Sequence, residues 1–319
     1  MKKLFMTGPR TSEVKDVEEL VPKRGEILVK VKYTGVCTSE WHPWSEAKAG
    51  MTMGHEPMGI VVQVGEAVKN FKVGDRVSGL AKTSAFAEYC LIDESRTLKV
   101  PDNVDDEDAL AEPLSCIVSV ASKLRIEKAG DPVLMVGVGY MGLGVMSLLK
   151  LQGAGKIIAV DVREEALENA KRFGATECYT PENIPEQYIL REWNDDIWAQ
   201  GLGVVSEFTG TEEGLRLAGD MTRPHGTLGV GAWHQGGDRT VDFRLWGWKA
   251  ITVINTHERR DDFQFECCKN AFEMLSSGVW NYKGVSNHIY EMKDFDKANY
   301  DLENKPNNFI KALIKCSEF

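Results

Sequence analysis

Four side chains with metal-ligand character stand out in this sequence: Cys37 in "GVCTSEWH", His55 and Glu56 in "GHEPMG", and Glu112 in "AEPLSC". One sulfur, one imidazole and carboxylates form a borderline-soft donor set that suits zinc, with fewer protein ligands than a closed structural site needs. Spacing alone does not decide the matter, because a free cysteine is most often a small buried hydrophobe and acidic side chains are most often solvated. Pro113 is expected to hold Glu112 in extended backbone. A second constellation lies in "VLMVGVGYMGLGV", where Gly137-x-Gly139-x-x-Gly142 follows a strand-like run and opens an apolar helical one. Such glycines let the backbone approach a pyrophosphate at a helix N-terminus. Asp161, ending the next apolar run "KIIAVDV", is placed to bind both ribose hydroxyls. Its charge disfavours a 2′-phosphate, so NAD is expected over NADP, although Arg163 is a cation close enough to hold such a phosphate.

The elements that must position these groups follow from periodicity. "EILVKVKYTGVC", "GIVVQVGEAV", "FKVGDRV" and "AEYCLI" are short β-branched runs bounded by glycine, which predicts a β-rich first third. From about Val104 the texture becomes helical, with acidic residues leading into "LAEPLSCIVSVASKLRI". Val133 to Val136, the glycine turn, Leu143 to Leu151 and "KIIAVDV" make a βαβ unit, and "VVSEFTG", "GTLGVGAW" and "AITVIN" read as later strands of the same parallel sheet. A helix around Phe263 to Ser276 and a last strand in "NFIKALIKC" close the chain.

The chain has 319 residues, enough for two domains with a sizeable core. Its net charge of -10 leaves no basic surplus to neutralise phosphates, which argues against nucleic acid and anionic membranes as partners. No segment approaches a membrane span, and the apolar stretch in "MKKLFMTGPR" is too short for a secretory signal, so a cytoplasmic location is expected. Seven cysteines without a C-x-x-C pair fit reduced thiols better than disulfides or a four-cysteine zinc knot.

With these motifs in order along the chain, the sequence resembles the zinc-dependent medium-chain dehydrogenases of the alcohol dehydrogenase superfamily. "GHEPMGIVVQVGEAV" is similar to their zinc signature GHE-x2-G-x5-G-x2-V, "FKVGDRV" to its continuation, "GVCTSEWH" to the first zinc-ligand segment, and "EPLSC" to the segment that supplies a glutamate in the polyol and sorbitol dehydrogenase branch. The resemblance implies an α/β fold: a doubly wound Rossmann domain binding NAD at 119–256, and a β-rich GroES-like catalytic domain made of 1–118 and 257–319. It implies that Cys37 and His55 bind a catalytic zinc, with Glu56 as a ligand or a carboxylate behind one and Glu112 reaching the metal directly or through water. Ser39 takes the place of the residue that accepts the alcohol proton, and His42 that of the outer end of the relay. Gly137, Gly139, Tyr140, Met141, Gly142, Asp161 and Arg163 form the cofactor site.

The four-cysteine lobe of many relatives is missing, because "GDRVSGL" runs almost straight into "AKTSAFAEYC", so one zinc per chain is expected. The stretch between Cys37 and His55 is short and rich in tryptophan. Trp41 and Trp44 are candidates to stack on a sugar or cyclitol ring, packing at the domain edge being the other reading. His257, Glu258 and Arg259 are candidates to read substrate hydroxyls, or simply a solvated charged turn. The expected reaction is NAD-dependent oxidation of a secondary hydroxyl on a polyol, cyclitol or sugar by a homo-oligomer, dimer or tetramer. Amino-alcohol oxidation of the threonine type, a zinc-free quinone or enone reductase and a catalytically idle NAD-binding protein are the rivals.

Overall fold

Strand β3 (Glu26–Gly35) is buried along nearly its whole length because it is paired on every side. In the computed structural model, which describes residues 1–192, 199–306 and 308–318, the chain divides into two compact units, Met1–Ser115 with Phe265–Phe319 and Cys116–Gln264. The first unit begins with the hairpin β1 (Lys2–Gly8) and β2 (Thr11–Asp16), followed by β3, the short α1 (Trp41–Ser45), β4 (Pro57–Val64), β5 (Arg76–Ala81), β6 (Tyr89–Lys99) and the start of α2 (Ala111–Lys123).

The second unit carries β7 (Val133–Val136), α3 (Tyr140–Leu151), β8 (Ile157–Val160), α4 (Glu164–Arg172), β9 (Glu177–Tyr179), β10 (Leu202–Glu207), α5 (Glu212–Met221), β11 (Thr222–Val230), α6 (Phe243–Trp248) and β12 (Thr252–Asn255). The chain returns to the first unit through α7 (Asp261–Ser276), β13 (His288–Glu291), α8 (Phe295–Asn304) and β14 (Ala312–Lys315).

In the first unit the strands run β13-β14-β3-β4-β5-β6, and β6 pairs again with β3, so the sheet curls back on itself and leaves β3 no open edge. Ile27, Val29 and Val31 of β3 meet Val61, Val77, Ile92, Phe86 and Phe295 in its core. Truncating a buried aromatic such as Phe295 to alanine is expected to cost about 3–5 kcal/mol.

The second unit is an all-parallel sheet in the order β12-β11-β10-β7-β8-β9. "VLMV" and "IIAV" are wholly buried, as parallel strands covered on both faces must be. From β7 the chain first winds outward through β8 to β9, then restarts at β10 on β7's other side. The turn after β7 therefore sits at the switch point, where doubly wound sheets bind ligands. β9 escaped the sequence reading because it is three half-buried residues with no periodicity.

The joins fall at 115/116 and 264/265, inside α2 and α7, rather than at 118/119 and 256/257. Residues 256 and 257 stay with the second unit because Lys123 Nζ donates to the carbonyls of Thr256 and His257, each at 2.9 Å. Glu112 is also not extended. It lies in the first turn of α2, where Pro113 needs no hydrogen-bond donor and a carboxylate favours the helix dipole. No described helix is long and apolar enough to cross a membrane.

Candidate active site

Cys37 leaves β3 and caps a single 3-10 turn, Thr38–Glu40, in which its Sγ accepts from Ser39 N at 3.5 Å and Ser39 Oγ at 3.2 Å. His55 and Glu56 immediately precede β4. The antiparallel pairing of Thr34 with Pro57, and of Gly35 N with Glu56 O at 3.1 Å, brings "GHE" alongside "GVC". A Cβ on Gly35 would stand 1.8 Å from Glu56 Oε2, so that glycine makes the room the carboxylate occupies. The ligand atoms of Cys37, His55 and Glu56 lie within 4.8 Å of one another, and Glu112 Oε2 is 4.0 Å from His55 Nε2.

Two residues that the sequence reading passed over complete this cluster. Glu40 Oε1 accepts from Gly54 N at 2.6 Å and pairs with His55 Nδ1 at 3.0 Å, which turns Nε2 toward the sulfur and the other carboxylates. Lys311, just before β14 and 5% exposed, places Nζ 2.6 Å from Glu56 Oε2 and donates to Val36 O at 3.1 Å. Burial pushes the Lys311 ammonium down, but Glu56 and Cys37 outweigh it and hold its pKa above the ordinary value. Burial likewise opposes a charged His55, yet Cys37, Glu40 and Glu112 outweigh it and raise its pKa. Glu56 Oε1 remains buried without a hydrogen-bond partner. Cys37 Sγ, Glu40, Glu56 and Glu112 are gathered around His55 and one buried ammonium, an excess of acidic donors that a divalent cation offsets. The donor set and the orphaned oxygen fit zinc.

In the second unit Gly137 has φ +88, and a Cβ on Gly142 would stand 2.2 Å from Gly137 O, so both glycines are required by the turn itself. Gly139 differs. Its φ of -75 suits any residue, and a Cβ there would meet no protein atom within 4 Å. Nothing in the protein demands that glycine, so the free space at the N-terminus of α3 points to a ligand. Tyr140 and Met141 open that helix. Asp161 is buried, with Oδ2 accepting from Val138 N at 2.9 Å and Oδ1 from Arg163 N at 3.0 Å, which ties the end of β8 to the turn. Arg163 Nε lies 3.4 Å from Asp161 and is engaged with the carboxylate.

A family model for the alcohol dehydrogenase GroES-like domain matches residues 23–102, and one for the zinc-binding dehydrogenases matches 141–277. A probable D-xylulose reductase A of Aspergillus clavatus is 30% identical over 91% of this chain and 89% of its own. The chain belongs to the zinc-type alcohol dehydrogenase family. D-xylulose reductase of Saccharomyces cerevisiae is 29% identical over 92% of this chain and 91% of its own. The structure of 2R,3R-butanediol dehydrogenase from Bacillus subtilis superposes with a TM-score of 0.82, covering 99% of each chain at 24% identity. As a member of this family the chain is an oxidoreductase.

Other expected site residues of this zinc-type dehydrogenase fall elsewhere. His42 is half-exposed, its Nε2 3.5 Å from Glu46, and no hydrogen bond joins it to Ser39 among the described residues. Trp44 is fully buried and donates through Nε1 to Asp296 at 2.9 Å, and Trp41 packs against the same core beside Arg10. Trp44 therefore has no face for a sugar; the short tryptophan-rich stretch is held to α8 instead. Glu258 is occupied internally by the backbone N–H groups of Arg259 and Arg260, by the Arg260 guanidinium and by Lys123, which together hold its pKa well below the usual range. His257 and Arg259 lie in the second unit, beyond the carboxyl end of β12.

Proposed function

We propose that this dehydrogenase oxidises a secondary hydroxyl of a polyol, cyclitol or sugar, reversibly, with one zinc per chain and NAD. The observation that carries the reading is the convergence of Cys37, His55 and Glu56 around a buried, unpartnered carboxylate oxygen. Cys37, His55 and a carboxylate from Glu56 or Glu112 would hold the metal. When bound, zinc supplies Lewis acidity to the substrate hydroxyl and NAD supplies the hydride acceptor.

Glu40 orients His55, and Lys311 pairs with Glu56 inside the core. Ser39 Oγ, turned onto Cys37 Sγ, is the side chain placed to receive the hydroxyl proton. His42 exchanges it with solvent only through a bridging group, since no hydrogen bond joins the two side chains among the described residues. The glycine turn takes the pyrophosphate and Asp161 the ribose, and the engagement of Arg163 with Asp161 supports NAD over NADP.

The names of the D-xylulose reductases support a polyol substrate. The exposed outer edge of β12, including Val253, supports a homo-oligomer, because an open edge strand invites pairing. Free cysteines throughout suit the cytoplasm.

The test is NADH formation across polyols, cyclitols, aldoses and amino alcohols. Turnover of the polyhydroxylated compounds that stops on chelation is expected. Turnover confined to amino alcohols, or persisting in metal-free protein, would overturn the reading.

A further inference from the structure

Cys37, Ser39 and Glu40 hang on very little regular structure, a single 3-10 turn that runs straight into the five-residue α1. A helix that short closes too few hydrogen bonds to hold itself, so contacts outside it must set where it lies. Two elements supply them. Trp44 of α1 is fully buried, meets the ring of Tyr300 of α8 edge-on at 5.0 Å, and donates through Nε1 to Asp296 Oδ1 at 2.9 Å. Asp296 Oδ2 in turn accepts from Ser12 N at 2.8 Å, and Arg10 N donates to Trp44 O at 2.9 Å, so the hairpin of β1 and β2 holds α1 as well.

Arg10 ties the three elements together. Its guanidinium lies 5.0 Å from the centre of the Trp44 ring, 5.6 Å from that of Tyr300 and 5.9 Å from that of Trp41. It also forks onto Glu303 of α8, Nη1 to Oε2 at 2.8 Å and Nη2 to Oε1 at 3.0 Å. A planar, delocalised cation can serve aromatic rings and a bidentate carboxylate at once, which an ammonium cannot do as well. The backbone at Arg10 is unusual too. Gly8 pairs with Thr11, leaving Pro9 and Arg10 as the turn, and Arg10 has φ +59. With proline second in such a turn, a third residue at positive φ is ordinarily glycine or asparagine, because a Cβ is disfavoured there. An arginine held in that conformation is a local cost that its side-chain contacts offset.

What α1 carries at its leading end is the chemistry of the site. Glu40 directly precedes it, accepts from Gly54 N at 2.6 Å and pairs with His55 Nδ1 at 3.0 Å. Just before Glu40, the backbone N–H and hydroxyl of Ser39 both donate to Cys37 Sγ. A slide or rotation of α1 therefore displaces both the carboxylate that orients His55 and the hydroxyl that rests on the sulfur.

We propose that Arg10 is a positioning residue for the metal centre. Seated on Trp41, Trp44 and Tyr300 and paired with Glu303, it fixes α1 and so presets Cys37, Ser39 and Glu40 for a divalent cation. This rests on the zinc reading above and deepens it, and the tryptophans of the short stretch between Cys37 and His55 become the seat of that guanidinium. A residue that merely stapled the hairpin would change folding stability and leave the metal affinity of the folded protein as it was, whereas a preset donor cluster loses affinity when its support loosens.

The test titrates metal-free protein, prepared by chelation, with zinc and with cobalt(II) against a chromophoric chelator, and records the visible absorption of the cobalt-loaded form beside urea melts. Arg10→Asn removes the guanidinium yet suits φ +59, so it adds no strain to the turn. It should bind both metals about tenfold or more weakly and alter the cobalt d–d bands. Arg10→Lys, which keeps a cation near Glu303, should restore part of the affinity. Glu303→Gln, at an exposed site on α8, should weaken binding in the same direction by less, and it carries the test if Arg10→Asn does not fold. Unchanged metal affinity with an unchanged cobalt spectrum in Arg10→Asn, or in Glu303→Gln should it have to stand in, would overturn the proposal whatever the urea midpoints. A wild type that binds neither metal, or binds cobalt without a sulfur-to-cobalt charge-transfer band, would sink the zinc reading and this proposal with it. Tight wild-type binding with that band and no effect of Arg10→Asn would sink the positioning role alone.

Discussion

The cluster around Cys37 and the turn at Gly137–Gly142 prepare for their ligands by opposite means. The first gathers polar and ionisable side chains from four separate stretches, Cys37 and Glu40, His55 and Glu56, Glu112, and Lys311, with Glu40, Glu56 and Lys311 buried and the other three half-buried. The second removes side chains and offers backbone at a helix N-terminus, all within six residues. A donor cluster of this kind stores unfavourable charge until a cation arrives, whereas a glycine turn stores nothing and merely keeps space clear. Substitutions should therefore disturb folding and binding in different proportions in the two regions.

The largest effect should come from Cys37→Ala, which is expected to lower zinc affinity by more than about 100-fold, beyond the cost of losing a supporting hydrogen bond, and to abolish turnover. NAD binding, measured by NADH fluorescence, should be unchanged. Loss of both would mean the two regions are not separable. Lys311→Met should destabilise the metal-free protein by about 3–5 kcal/mol in urea melts, because Glu56 is left as an unpaired buried charge. Adding Glu56→Gln should recover most of that, and failure to recover would assign Lys311 a purely packing role.

The turn offers the converse test. Gly142→Ala forces a contact with Gly137 O and should cost stability, whereas Gly139→Ala should leave the melting temperature within about 2 °C, meeting no protein atom, yet weaken NAD about tenfold or more. Unchanged NAD affinity in Gly139→Ala would leave that glycine unexplained.

What could be read from the sequence follows the same division. The nucleotide turn was legible because strand, glycines, helix and Asp161 are contiguous, and their order alone specifies the geometry. Cys37, His55 and Glu56 were legible as candidates through the resemblance of "GVCTSEWH" and "GHEPMG" to zinc-ligand segments, since their spacing alone left them open, and the pairing of β3 with β4 is what brings the two segments together. Lys311 was not, since its partner lies at the far end of the chain and only its place in the apolar run "NFIKALIKC" hinted at inward burial. Glu40 stood unremarked beside Ser39 in "TSEW". Trp44 and Glu258 were left between two readings for one reason: an aromatic ring or a carboxylate in a loop-like stretch looks available until its hydrogen-bond partners, Asp296 in one case and Lys123 and Arg260 in the other, are known.

The smallest effect contrasts the two buried lysines. Among the described residues Lys249 Nζ donates to two carbonyls, Gly219 O at 3.0 Å and Asp220 O at 2.9 Å, and burial lowers its pKa to about 8 despite Asp220, with Arg191 adding to the lowering. Above about pH 8 the folded protein has released a proton that the unfolded chain keeps until near the ordinary lysine value. Stability from this group therefore rises with pH from about 8 upward, and below that its burial cost is constant. Relative to Lys249→Met, the wild type should gain about 1–2 kcal/mol between pH 7.5 and about 9.5 in urea melts. A flat difference would mean that Lys249 does not titrate there.

The most direct test of the central assignment is metal analysis of the purified protein combined with zinc-edge X-ray absorption. The expected result is about one zinc per chain with a single sulfur ligand at about 2.3 Å and the remaining nitrogen and oxygen ligands at about 2.0–2.2 Å, the sulfur contribution disappearing in Cys37→Ala. Two zincs per chain, a shell without sulfur, or full activity with no metal would contradict it.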